Sequence, residues 1–111
     1  MEIRYESKNL EELFNDHKKL TAKVDLHLLK IIKQRILELM AADTFSDYLK
    51  VGLGRPHLLT GDLKGYYAAQ LDANKRLIFK QIYENNQMNC TKVVIKGVID
   101  YHGTKTTFYL S

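Results

Sequence analysis

Three runs decide how this chain folds: Lys64–Leu71 (KGYYAAQL), Arg76–Tyr83 (RLIFKQIY) and Lys92–Tyr101 (KVVIKGVIDY). Each is rich in β-branched or aromatic residues and bounded by turn formers, the pattern of strands. Asp72-Ala73-Asn74 separates the first two runs, and Glu84-Asn85-Asn86-Gln87 follows the second. Gly97 interrupts the third and Gly103 closes it. Connections of three to eight residues suit antiparallel hairpins, because a parallel crossover needs a dozen or more. In the middle run, alternation puts Arg76, Ile78 and Lys80 on one face and Leu77 and Phe79 on the other.

N-terminal to these runs the periodicity changes. Met1–Glu6 alternates weakly and reads as a short strand, with Ile3 and Tyr5 on one face. Ser7 or Asn9 is placed to cap a helix whose first turn carries Glu11 and Glu12, where the helix macrodipole favours negative charge. Leu10, Leu13 and Phe14, continued by His17 or Leu20, form its stripe. From Asp25 to about Ala42, Leu29, Ile32, Ile36, Leu39 and Met40 recur at three- and four-residue steps, a stronger helix. Thr44–Asp47, Gly52, Gly54-Arg55-Pro56 and Gly61-Asp62 punctuate a connecting stretch. The expectation is an α+β fold: a helical pair packed on an antiparallel sheet of three or four strands. One domain spans 1–111, with the strand and helical pair in 1–50 and the connector, sheet and C-terminal tail in 51–111.

Composition narrows the function classes. The 111 residues are 45% hydrophobic and 27% charged, near globular averages, which argues against disordered and fibrous classes. No apolar run approaches the roughly 18 residues that span a bilayer, and the N-terminus has no signal-peptide core, so a cytoplasmic protein without a membrane partner is expected. Cys90 is the lone cysteine, so an internal disulfide or thiolate metal cluster is excluded. The histidines His17, His27, His57 and His102 lack metal-ligand spacing, and no glycine-rich phosphate loop is present; no metal or cofactor is expected. The net charge of +4 is unevenly placed. Residues 1–50 hold nine basic and nine acidic side chains; residues 51–111 hold eight basic against four acidic, together with five of the seven tyrosines. Cations for phosphates and flat rings for unstacked bases are what single-stranded nucleic acid requires.

Three constellations in that basic half carry chemistry. Arg55, His57 and Lys64 lie in a segment leading into Tyr66-Tyr67, which offers a titrating imidazole beside phosphate-binding cations, or alternatively a histidine packed beneath the connector and a solvated lysine. Asp100 and His102 share one side of an extended chain with Tyr101 opposite, which prepares His102 as a general acid or base, or else forms a strand-end turn. Arg76 on a sheet face is either a phosphate clamp or a surface arginine over aliphatic neighbours.

Together His57-Leu58-Leu59-Thr60-Gly61-Asp62-Leu63-Lys64-Gly65-Tyr66-Tyr67, then Asn74-Lys75-Arg76-Leu77-Ile78-Phe79, then Asp100-Tyr101-His102 resemble the HigB-type toxins of the RelE/ParE superfamily. In that family an L-H-P-L-K-G-D-x-x-G-Y-W segment leads into an N-x-R-I-x-F strand and the chain closes on D-Y-H. The resemblance covers roughly residues 8–102. It implies a type II toxin that cleaves mRNA, typically on the ribosome, by metal-independent attack of the RNA 2′-hydroxyl, and that is neutralised by an antitoxin of helix-turn-helix type. Carried over, His57 and His102 are acid–base residues, Asp100 a supporting carboxylate, Tyr101 a positioning residue, and Arg76 and Lys64 phosphate binders. Arg55, Tyr66 and Lys80 extend the RNA-binding surface. Two alternatives share the fold: a ParE-like non-enzymatic gyrase inhibitor, and a catalytically degenerate member that only binds RNA or a partner. Two departures stand out. Thr60 occupies the family's lysine position, and the chain continues past D-Y-H through Gly103–Ser111, a tail that adds a strand, covers the site or flanks it.

Overall fold

A computed structural model describes residues 1–84, 89–102 and 105–111, with His102 described by its backbone alone. Elements run β1 (Glu2–Tyr5), α1 (Lys8–Asn15), α2 (His17–Lys23), α3 (Leu26–Ala41), α4 (Phe45–Val51), β2 (His57–Leu58), a 3-10 turn at Gly61–Leu63, β3 (Tyr67–Gln70), β4 (Lys75–Gln81), β5 (Lys92–His102) and β6 (Lys105–Leu110). The α+β class holds, with a fuller inventory than the sequence suggested.

Helix starts follow capping chemistry. Ser7, rather than Asn9, caps α1 by accepting from the Leu10 amide at 3.1 Å. Asp25 caps α3 by accepting from the Leu28 amide at 2.8 Å, as the sequence indicated. The first expected helix, however, is two. Asp16 takes extended backbone (φ −116°, ψ 104°) and accepts from the Lys18 and Lys19 amides, ending α1 and starting α2. The break lets Leu10 and Leu13 on α1 and Leu20 on α2 all reach the core. The expected connector also contains a helix, α4, capped by Thr44 accepting from the Asp47 amide and closed by Gly52 in the left-handed conformation (φ 72°). It buries Phe45 and Tyr48 against Phe79.

Among the described residues the sheet has six strands instead of three or four and is mixed rather than antiparallel. Its path is β1-β5-β4-β3-β2, with β6 also on β5. At eleven residues β5 is long enough to carry two strands along one edge: β1 runs parallel to Lys92–Ile95, and β6 runs antiparallel to Val98–His102. Thus the tail adds a strand. An extra residue in β5 shifts its register, with Ile78 opposite Gly97 but Phe79 opposite Ile95. The bulge places Lys96 on the same face as Ile99 and Tyr101.

Among the described residues the helices cover one face of the sheet. There, Leu77, Phe79, Val93, Ile95 and Val98 join Leu10, Leu20, Leu28, Ile32 and Leu39 in the main core. On the other face Ala68, Ile78 and Ile99 are buried beneath Leu59, Leu63, Tyr66 and Tyr101. The 59–66 loop supplies most of that cover and is closed by the Leu59 amide donating to the Tyr66 carbonyl at 2.9 Å. Among the described residues no helix packs on this face.

Candidate nucleic-acid interface on the open sheet face

Strand alternation delivers Arg76, Ile78 and Lys80 to the open face, as expected from the sequence. The Arg76 guanidinium lies 5.7 Å from the Tyr101 ring, and its Nη1 donates to the backbone carbonyls of Asp72 (2.8 Å) and Lys75 (2.9 Å). Of five N–H donors, those on Nη2 and Nε make no hydrogen bond among the described residues. Two carbonyls and a ring hold the cation in one orientation, the preorganisation a phosphate clamp requires.

A second cluster lies beside it. The Tyr66 hydroxyl donates to Glu6 at 2.8 Å, and the Lys96 ammonium donates to the other Glu6 oxygen at 2.8 Å. Lys80 and Lys96 approach the Tyr66 ring at 4.8 and 5.3 Å, and Lys96 also lies 5.5 Å from Phe108. Burial raises the Glu6 carboxyl's pKa, but hydrogen bonds from Lys96 and Tyr66 and the charges of Lys96 and Lys80 outweigh it, so Glu6 sits below its ordinary value. Burial, with the hydrogen bond to and charge of Glu6, pushes the Tyr66 phenol up to about 12. Tyr66 therefore stays protonated and donating near neutrality. Tyr66 and Lys80 were legible in the sequence; Glu6 and Lys96 were not. Parallel pairing of β1 with β5 brings Glu6 to the site, its amide donating to the Ile95 carbonyl at 2.9 Å.

This arrangement makes Glu6 an internal counterion for Lys96. If the open face takes single-stranded RNA, Glu6→Gln should bind it three- to tenfold more tightly and steepen the salt dependence by roughly one phosphate contact, about 0.7 in slope. Because the Glu6 pKa is depressed, its contribution to stability is present above the unfolded carboxylate pKa and is lost as pH falls through the folded value. At neutral pH the substitution should cost about 0.5 kcal/mol, since the pair is well solvated; below the folded pKa the two proteins should melt together.

His57 occupies β2 opposite Ala68, which places it on the open face toward the far edge of the sheet. It is exposed, and its Nδ1 lies 3.3 Å from the Arg55 carbonyl. A carbonyl only accepts, so that contact requires the proton on Nδ1 and leaves Nε2 as the basic nitrogen in the neutral ring. Arg55 itself takes a left-handed backbone (φ 50°), uncommon for a side chain other than glycine, asparagine or aspartate. Its side chain and that of Lys64 are exposed. Asp100 lies on the other face, 7% exposed, 3.9 Å from the Lys75 ammonium. The reading of Asp100 and Tyr101 on opposite sides holds, so Arg76 is gathered with Tyr101 and not with Asp100. His102 pairs with Lys105 through the backbone, and its imidazole lies outside the described residues, as do Gly103 and Thr104.

Between the 59–66 loop and β6 lies a cleft of about 370 Å³ lined by Leu59, Thr60, Asp62, Leu63, Tyr101, Thr106 and Phe108. Among the described residues no group of three His, Cys, Asp or Glu side chains is placed to hold a metal ion. Among them, too, no helix is long and apolar enough to cross a membrane.

No protein-family model and no curated protein matches the chain by sequence. Solved structures do match by shape. A YoeB/ParE toxin from Agrobacterium tumefaciens superposes with a TM-score of 0.59 at 15% identity, over 92% of this chain and 100% of that one. This chain has the RelE/ParE toxin fold. The toxin of a heterotetrameric YoeB-YefM toxin–antitoxin complex from Staphylococcus aureus gives 0.57 at 19% identity, over 92% and 97%. A YoeB dimer from the same organism gives 0.55 at 20% identity over the same shares.

Proposed function

We propose that residues 1–111 form the toxin domain of a type II toxin–antitoxin pair and that this domain is an mRNA endonuclease of the HigB type, acting on the ribosome. The observation that carries the reading is the open face itself. A guanidinium held by two carbonyls and the Tyr101 ring stands beside Lys80 and Lys96 on the face opposite the helices. Solved relatives in shape include a toxin with its antitoxin, which supports an antitoxin as partner here. The HigB resemblance implies a helix-turn-helix antitoxin, and the composition a cytoplasmic setting.

Cleavage then proceeds by attack of the RNA 2′-hydroxyl on the adjacent phosphorus. A base removes the hydroxyl proton as the new P–O bond forms, and an acid protonates the departing 5′-oxygen, giving a cyclic phosphate and a free 5′-hydroxyl. His57, whose Nε2 is the basic nitrogen, is the family motif's candidate for the first role; the strand register sets it three strands and about five residue rows from His102, so their backbones stand too far apart for both to serve one phosphate. His102, at the end of β5, is its candidate for the second. Arg76 stabilises the charge gathering on the phosphorane, and Tyr101 holds the nucleotide in line. Arg55, Lys64, Tyr66 and Lys80 bind the flanking strand. The direct test compares RNA cleavage by wild type and His102→Gln in EDTA. Loss of two or more orders of magnitude in the variant, with wild type unaffected by chelation, is expected; equal cleavage by both would remove His102 from the reaction.

A further inference from the structure

The cleft beside Arg76 has features that phosphate binding does not use. At about 370 Å³ it falls within the range of small-ligand pockets, roughly 300–1,000 Å³. One wall is aromatic: Tyr101 from β5 and Phe108 from β6, the latter opposite Ile99 in the strand register and 41% exposed. The facing wall is aliphatic, Leu59 and Leu63. The polar groups are Thr60, Asp62 and Thr106, and among the described residues no cation lies within ion-pair distance of Asp62. A carboxylate repels a phosphate, so this pocket wants a flat, neutral ring whose edge donates hydrogen bonds. Cations stand just outside it, Arg76 at Tyr101 and Lys96 at Phe108.

We infer that this cleft is a nucleobase subsite selective for guanine, in which Phe108 stacks on the base and Asp62 reads its edge; this rests on the proposed action on RNA. Two adjacent donors, N1–H and the N2 amino group, match the two acceptor oxygens of a carboxylate. Adenine and cytosine each offer one amino donor beside a ring-nitrogen acceptor, and uracil offers one N–H between two carbonyls, so each turns an acceptor toward Asp62. Stacking of an unpaired base on an aromatic ring is sequence-tolerant, which assigns affinity to Phe108 and choice to Asp62. The tail beyond Asp100-Tyr101-His102 thereby gains a role: β6 builds one side of the subsite.

Binding can be separated from cleavage with short 2′-O-methyl oligouridylates, in which the attacking hydroxyl is blocked, carrying one central guanine, adenine, cytosine or uracil. Fluorescence anisotropy should show wild type preferring the guanine strand about tenfold over the adenine strand. Asp62→Asn should cut that ratio below about threefold without shifting the melting temperature. Phe108→Leu should weaken all four strands about tenfold while keeping their ratios, and Phe108→Tyr should restore affinity. Equal binding of the four strands, or an Asp62→Asn protein that keeps the guanine preference, would overturn the subsite. Guanine preference without cleavage of the matching unmodified RNA would overturn the ribonuclease reading and leave the subsite standing. Cleavage without preference would do the reverse.

Discussion

Arg76→Ala should slow RNA cleavage by about 10²- to 10³-fold while weakening RNA binding much less. Removing one preorganised donor from a site where transition-state charge develops has an effect of that size. The argument for a kinetic rather than a binding defect is geometric. Arg76 is anchored by the Asp72 and Lys75 carbonyls and the Tyr101 ring before any ligand arrives, so little of its interaction free energy is lost to ordering. Lys80 and Lys96, stationed on Tyr66, still attract the backbone when Arg76 is gone. Arg76→Lys should recover only part of the rate, because one ammonium cannot keep both carbonyls and the ring while presenting a fork of donors. Single-turnover rates against equilibrium binding of a 2′-O-methyl strand separate the two effects. An Arg76→Ala protein that loses affinity and rate in equal proportion would make Arg76 a general binding cation.

Gly97→Ala should destabilise the fold by about 3 kcal/mol, the upper end for overpacking a closed site. Gly97 adopts φ 151°, a conformation that L side chains rarely take, at the bulge in β5. A β-carbon there would collide with the Leu110 carbonyl, which is backbone and cannot swing aside. Either the bulge flattens, moving Lys96 off the open face, or β6 withdraws and takes buried Leu110 with it. For a chain of this size the loss corresponds to roughly 10–15 °C in thermal midpoint. Hydrogen exchange distinguishes the routes: faster exchange confined to 105–110 means that β6 has come away. A Gly97→Ala protein melting within a few degrees of wild type would show that the bulge tolerates a side chain.

Much of this architecture is readable from local pattern. The alternation of Arg76–Lys80 names the two faces of β4 correctly, and Asp25 marks the start of α3. What escapes is what depends on partners distant in sequence. Asp16 interrupts a plausible helical stripe, and only the packing of Leu10, Leu13 and Leu20 on one sheet shows why a break is favoured. Thr44 with Asp47 three residues on, followed by Gly52, is a legible helix signal that the surrounding turn formers obscure. Parallel pairing of β1 with β5 leaves no local trace, so Glu6 could not be assigned to Tyr66 and Lys96. The bulge defeats strict alternation: with an unbroken period of two, Lys96 would share a side with Val98 and Asp100 and not with Tyr101. For the candidate site, Arg76, Tyr101, Tyr66 and Lys80 were identifiable because each lies in or beside a strand with a clear period.

The chemistry of the cut ends tests the proposed mechanism most directly. Unmodified RNA incubated with purified protein in excess EDTA, on ribosomes and free, should yield fragments ending in 2′,3′-cyclic phosphate with 5′-hydroxyls on the downstream pieces. Substrate carrying a single 2′-deoxy nucleotide at the cleavage position should survive intact. Fragments bearing 5′-phosphates, or cleavage of the 2′-deoxy substrate, would contradict attack by the RNA's own hydroxyl and with it the roles given to His57, Arg76 and His102.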